Sequence, residues 1–211
     1  MILLVATTNP GKIREIRHVL DGAVPALRLL TLADLPPVAE PEETGHTFAE
    51  NAWVKAAYYA AASGLATVAE DSGLAIDALD GRPGVHSARY PGETYPIKFQ
   101  NLYQELAPHP RPWTARYVCS VAVADAHSSE VPRKLFACEA TVEGEIAPAP
   151  HGEFGFGYDP IFYCPPYETT LGSVTDEQKL AVAHRGKAFR EVAAWLAGRP
   201  AALAPRINAR P

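Results

Sequence analysis

Thr7-Thr8-Asn9-Pro10-Gly11-Lys12 joins an apolar run, residues 2–6, to a stretch of helical spacing. In that stretch Ile13, Ile16 and Leu20 share one face, with Arg14, Glu15 and Arg17 off it. A buried strand, a tight polar loop and a helix start make an anion site. The first helical turn has N–H groups without intrahelical partners, and the positive end of the helix dipole lies there. Lys12 adds a point charge, and Thr7, Thr8 and Asn9 add neutral donors. The G-x-x-x-x-G-K-[ST] spacing of a Walker A loop is absent. The block also fits an ordinary strand-to-helix connection.

Three further stretches carry reactive side chains. Glu70-Asp71-Ser72-Gly73 is read as the end of an apolar strand, where adjacent carboxylates project to opposite sides. One can hold a cation while the other reaches a water. Carboxylates with no His or Cys nearby favour Mg²⁺ over zinc; the alternative is a solvated acidic turn. An acidic loop, residues 36–45, offers a further carboxylate in Glu43, or else a solvated charge cluster. In Phe154-Gly155-Phe156-Gly157-Tyr158-Asp159-Pro160, two glycines between aromatics allow close backbone approach to a ligand, with Phe156 placed to stack on a flat base. A hairpin or bulge with core aromatics fits the same pattern. Lys179 and His184-Arg185-Gly186-Lys187 supply an Arg donor fork suited to carbonyl or phosphate oxygens, or else a basic helix end at the surface.

The elements that position these residues alternate between strand and helix. Strands are predicted at residues 2–6, 27–30, 65–69, 74–79, 117–124, 135–142 and 161–163. A capping box, Thr47-x-x-Glu50, opens a helix over 48–62 that places Asn51 and Lys55 on one face, and Gly64 ends it. Residues 98–106 read as helix and 82–92 as loop. A last helix runs from near Asp176 to Leu196 with a break. The Pro- and Ala-rich residues 198–211 read as a frayed tail.

Composition narrows the function classes. The chain has 211 residues, 47% of them hydrophobic, enough for one substantial core or two small lobes. A net charge of −5 without a basic stretch argues against a nucleic-acid surface. The 3 cysteines, Cys119, Cys138 and Cys164, form no C-x-x-C pair, and no apolar stretch reaches a membrane span. Residues 1–6 are too short for a signal peptide. The expectation is a reduced, cytoplasmic enzyme or binding protein.

The order T-T-N-P-G-K, E-E-T-G, T-F-x-E-N-A-x-x-K, E-D-S-G-L, P-G-V-H-S-A-R-Y, F-G-Y-D-P-I-F and K-x-x-x-x-H-R-G resembles one family over residues 2 to 197. It is similar to the inosine triphosphate pyrophosphatases, also called dITP/XTP pyrophosphatases. The resemblance implies a hydrolase that splits non-standard purine nucleoside triphosphates (ITP, dITP, XTP) into monophosphate and pyrophosphate, clearing deaminated purines from the nucleotide pool. It implies an α/β fold: a long twisted mixed β-sheet flanked by helices, in two lobes with a central cleft, within a single domain over 1–197. A homodimer and a Mg²⁺ cofactor are implied too. By matching position, Thr7, Thr8, Asn9, Pro10, Gly11 and Lys12 hold phosphate. Glu43, Glu70 and Asp71 make the metal and water site, with Asp71 as proton acceptor. Ser72 and Lys55 contact substrate. Phe156, Gly157, Tyr158, Asp159, Lys179, His184 and Arg185 bind the nucleoside end. Thr8 stands where Gly is usual and Ala183 where Ser is common.

Base choice follows from hydrogen-bond polarity. Hypoxanthine and xanthine carry a carbonyl at C6, where adenine carries an amino group; an Arg185 donor suits the former. Two rival functions remain: a phosphatase attacking the terminal phosphate, and a non-catalytic nucleotide sensor.

Overall fold

The structure, a computed structural model, describes residues 1–126 and 131–198. Of the expected tail, all but Gly198 lies outside the described residues. Among the described residues, five α-helices flank a seven-stranded sheet of order β2-β1-β3-β4-β5-β6-β7. The strands are β1 (Ile2–Val5), β2 (Arg28–Thr31), β3 (Thr67–Ile76), β4 (Thr114–Asp125), β5 (Arg133–Ile146), β6 (Phe162–Cys164) and β7 (Thr169–Thr170). β1 pairs in parallel with β2 and β3, and all later pairings are antiparallel, so the sheet is mixed as expected.

Local signals account for most helix starts. Asn9 caps α1 (Pro10–Leu20) through its side chain, with Pro10 in the first turn. The helix therefore begins three residues before Ile13, and Gly11 and Lys12 belong to its first turn. Thr47 and Glu50 form the expected capping box of α2 (Phe48–Ser63), and Gly64 ends it in the left-handed region at φ 66°. α3 spans Tyr95–Leu106. Thr175 caps α4 (Asp176–Val182), and Ala183 breaks it from α5 (His184–Ala197).

β3 differs from expectation. The sequence predicts two strands, 65–69 and 74–79, separated by a polar quartet. One ten-residue strand runs through Glu70-Asp71-Ser72-Gly73 instead. The reason is non-local: β4 pairs with it along its whole length, from Thr67↔Ala124 to Ile76↔Ala115, and this ladder overrides the local turn signal. The segment read as loop, 82–92, holds a 3-10 turn over Gly84–Arg89.

The core packs in three clusters. Leu3, Val5, Ile16, Leu20 and Phe189 join one sheet face to α1 and α5. Ala52, Ala56 and Ala60 of α2 lie against Leu4, Ala69 and Ala122 on the other, the small side chains allowing close approach. Leu74, Ile76, Phe99, Leu102, Tyr117 and Phe162 fill the far end. Burying each large side chain contributes roughly 1.5–3 kcal/mol. The middle of β3 lies between these clusters, and there the polar residues gather.

Candidate active site

Strand alternation separates the two β3 carboxylates. Glu70 and Ser72 face α1 and α5, while Asp71 faces α2. Glu70 meets Lys12 Nζ at 2.8 Å and Arg185 at 3.5 Å, and accepts from Cys119 Sγ. Burial pushes its carboxyl up, but Arg185, Lys12 and Lys55 outweigh that and hold it far below the usual carboxylate range. Asp71 accepts from Lys55 Nζ at 3.0 Å and from Asn51 Nδ2 at 3.3 Å. There burial wins: desolvation, aided by the Glu70 charge, raises the Asp71 carboxyl despite Lys55 and Lys12. Two neighbouring carboxylates are thus set apart, one held ionised and one made more basic, the pairing that general-base chemistry requires.

The acidic loop reaches this point from the other side. Glu43 accepts from Lys55 at 2.7 Å through Oε1 and from Arg89 through Oε2. Its carboxyl is raised by burial but held low overall by Lys55, Arg89 and Lys12. Glu43 and Asp71 therefore converge on one position, which the Lys55 ammonium fills. Hard oxygen donors converging on a cation position fit Mg²⁺, which takes one or two carboxylates and completes its shell with phosphate oxygens and water. Glu70, expected with them, lies on the opposite strand face. Among the described residues no three His, Cys, Asp or Glu side chains cluster as a metal site. Alternation in β3 is the reason.

The loop from Thr7 to Lys12 is tied to both groups. Asn9 Oδ1 accepts from Lys12 N at 3.1 Å, its backbone N–H donates to Thr7 Oγ1, and Thr8 Oγ1 donates to Glu40. Gly11 is required here by a close approach: a Cβ would lie 2.7 Å from the Phe156 ring.

A buried ionic chain links α1, α4 and α5 to Asp159. Lys179 bridges Glu15 at 2.7 Å and Asp159 at 2.6 Å, and Arg185 bridges Glu15 at 2.6 Å and Ser72 at 2.7 Å. Neither end of α5 presents Arg185 at the surface; it is 2% exposed, in the first turn of the helix, and its fork is largely engaged. Phe156 lies over the Lys179 ammonium at 4.5 Å and near the Arg185 guanidinium at 5.5 Å. Asp159 accepts from Phe156 N at 2.7 Å and from the Tyr117 hydroxyl, and the Tyr158 hydroxyl donates to Ser87 O; both hold the aromatic loop, where Gly157 has φ 68°. His184 stacks on Tyr117 with centroids 4.6 Å apart. Burial, with Arg185 and Lys179 beside it, drives its imidazole well below the usual histidine range, so it is neutral. His184 Nδ1 and Arg185 Nε are buried with no hydrogen-bond partner among the described residues.

Four residues here escaped the sequence reading. Glu15, placed off the apolar face of α1, is 1% exposed, because α4 and α5 bring Lys179 and Arg185 onto it. Tyr117 carries no local signal, and Arg89 stands in the P-G-V-H-S-A-R-Y block without a role of its own. Asn51 did carry one, its shared helix face with Lys55.

Two cavities result. One of about 590 Å³ is walled by the loop from Thr7 to Lys12, the acidic loop, Lys55, Asp71 and Arg89. The other, about 80 Å³, is walled by the aromatic loop, Tyr117, Lys179, His184 and Arg185. Asn9, Lys12, Ser72 and Ala88 border both, so the two form adjoining compartments.

Known proteins resemble this chain in sequence and in fold. A family model described as Ham1 family matches residues 3–195. The chain is 41% identical over 198 residues to the dITP/XTP pyrophosphatase of Halalkalibacterium halodurans, covering 92% of this chain and 97% of that one. It is 45% identical over 188 residues to the dITP/XTP pyrophosphatase of a Nostoc species, covering 89% and 90%. Its fold is similar to the solved HAM1 protein of Coxiella burnetii, with TM-score 0.82, 34% identity, and 94% and 99% of the two chains covered. With its sheet order, its strand-loop-helix anion site and matches spanning nearly the whole of both partners, the chain belongs to the Ham1 family.

Proposed function

We propose that this chain hydrolyses non-standard purine nucleoside triphosphates, ITP, dITP and XTP, to the monophosphate and pyrophosphate. The observation that carries the reading is the junction of the two cavities. A flat base entering the smaller compartment leaves its sugar at the junction by Lys12 and Ser72 and extends its phosphates into the larger one, so the phosphate nearest the sugar lies beside Asp71. Water attacks that α-phosphorus, its proton passes to Asp71, the bond from the α-phosphorus to the bridging oxygen breaks, and pyrophosphate leaves. Lys12 and Lys55 neutralise charge on the phosphate oxygens. Thr7 to Lys12 hold phosphate, and Ser72 touches substrate at the junction.

Glu43 and Asp71 are the residues that would hold Mg²⁺, which when bound supplies charge neutralisation and orients the phosphates. Glu70 instead positions Lys12 and Arg185. The base stacks on Phe156 in the pocket that Gly157, Tyr158 and Asp159 shape with Lys179. The Arg185 Nε–H and His184 are the buried polar groups left to read the C6 carbonyl. Residues 1–197 are read as one domain of two lobes, acting as a homodimer in the cytoplasm. Three free thiols accord with a reducing compartment, and no described helix is long and apolar enough to cross a membrane.

One panel tests the reading: ITP, dITP, XTP, GTP, ATP and dTTP with Mg²⁺, monitoring pyrophosphate and orthophosphate. Pyrophosphate from ITP and XTP is expected. Orthophosphate alone would favour the terminal phosphatase, and no turnover would favour the sensor.

A further inference from the structure

The larger cavity contains a cation that the reaction described above leaves unused. Arg89 lies at the end of the 3-10 turn Gly84–Arg89 and lines the wall of that cavity, but not of the base compartment. Among the described residues its one polar partner is Glu43 Oε2, so most of its five N–H donors are free. Its side chain keeps 60% exposure, against 14% for Lys55, which holds the other oxygen of the same carboxylate. An exposed ion pair contributes little to stability, and Lys55 already anchors Glu43 from within. The Arg89 contact is therefore poorly explained as a structural brace.

We propose that Arg89 is a clamp for the terminal phosphates, the pair that leaves as pyrophosphate. The inference deepens the proposed pyrophosphatase reading and rests on it for the placement of the base. Three facts carry it. Lys12 borders both compartments, so it serves the phosphate at the junction. Lys55 is bound to Glu43 and Asp71, deep in the cavity. Lys55 and Arg89 both line the larger cavity and not the base compartment, and of the two Arg89 is the exposed one, on the side where the β and γ phosphates of a nucleotide must lie. A planar guanidinium offers two parallel N–H groups to a phosphate, a geometry an ammonium cannot reproduce. A cation that displaces Lys55 from between Glu43 and Asp71 competes with Arg89 too for the Glu43 carboxylate. Loading that carboxylate frees the Arg89 fork for phosphate. The Arg89–Glu43 pair thus holds the clamp beside the cavity until the anion arrives.

The test uses the full chain and three probes: inorganic pyrophosphate, inorganic tripolyphosphate and IMP. Binding of each is measured by calorimetry, in EDTA and again with Mg²⁺, for wild type, Arg89→Ala and Arg89→Lys. Arg89→Ala is expected to weaken pyrophosphate and tripolyphosphate by about 10- to 100-fold. IMP affinity and the melting temperature should stay close to wild type. Arg89→Lys should recover only part of the loss, because charge returns without the fork. In turnover of ITP the Ala variant should raise KM and weaken inhibition by pyrophosphate. The proposal is overturned if wild type binds neither polyphosphate, if their affinities in Arg89→Ala stay within twofold of wild type, or if IMP weakens in parallel. Failure of the pyrophosphatase reading shows separately, as wild type that releases no pyrophosphate from ITP, since the binding of inorganic pyrophosphate does not depend on that turnover.

Discussion

Glu70 and Asp71 are consecutive in β3, yet their carboxylates lie on opposite faces of the sheet and are shifted in opposite directions. Glu70, among Arg185, Lys12 and Lys55, is held ionised; Asp71, buried beside the Glu70 charge, is made more basic. The two conservative amides should therefore behave differently. Asp71→Asn removes the proton acceptor, so kcat for ITP should fall roughly 10²–10⁴-fold. Its melting temperature should hold or rise, because a carboxylate disfavoured by burial is replaced by a neutral group. Glu70→Gln breaks a buried ionic cluster, at a cost of about 3–5 kcal/mol. For a chain of this size each kcal/mol moves the melting temperature by roughly 2–4 °C. Calorimetry on both variants checks the contrast; a melting point unchanged in Glu70→Gln would show that the cluster does not stabilise the fold.

Metal dependence separates two carboxylates from three. EDTA should abolish turnover and Mg²⁺ restore it. Glu43→Gln should raise the Mg²⁺ concentration needed for half-maximal activity. Glu70→Gln, on the far face of β3, should leave that concentration close to wild type whatever it does to kcat. An equal rise in both variants would put Glu70 back among the ligands.

Arg185 joins base reading to stability. Its guanidinium serves Glu15, Glu70 and Ser72, with Nε left over. Arg185→Ala should lower stability by about 3–5 kcal/mol, because two buried carboxylates lose a partner. Assayed well below its melting temperature, it should also lose kcat/KM for ITP and XTP more than for ATP, by about 10- to 150-fold in the ratio if a bond to a charged donor is lost. Lys12→Ala, which acts on phosphate, should impair all triphosphates alike. An unchanged ITP/ATP ratio in Arg185→Ala would move discrimination to His184 or Phe156.

His184 sets the stability profile in mild acid. Its folded pKa lies well below the ordinary histidine value of 6.5, because of burial and the facing charges of Arg185, Lys179 and Lys12, opposed by Glu70. A depressed pKa stabilises the fold above 6.5. That contribution falls as pH drops from 6.5 toward the folded value, because only the unfolded chain then takes up the proton. The slope can reach about 1.4 kcal/mol per pH unit. The carboxylates with depressed values, Glu15, Glu43 and Glu70 among them, lose their contribution near and below their ordinary value, and the raised Asp71 and Asp159 work in the opposite sense, so neither group produces a decline above pH 5. Melting curves between pH 6.5 and 5 should therefore show a decline that His184→Gln flattens. A decline of the same slope in the variant would assign it to other groups.

The sequence by itself determined the features whose signals are short-ranged. The Thr47–Glu50 box, Gly64 and the start at Asp176 each act within one helical turn, and each stands where the sequence places it. The shared face of Asn51 and Lys55 followed from the same periodicity, as did the opposite projection of Glu70 and Asp71. Tertiary structure decided what depends on distant partners. β3 continues through its polar quartet because β4, about fifty residues on, supplies a ladder along its whole length. Glu15 is buried, and Arg185 is drawn in rather than left at a helix surface, because a contact across 170 residues satisfies both charges at once. Which carboxylates converge was likewise decided by packing, since Glu43 reaches Asp71 only through Lys55 of α2. Periodicity encodes which way a side chain projects from its own element; the charge that meets it there is set by how the elements pack.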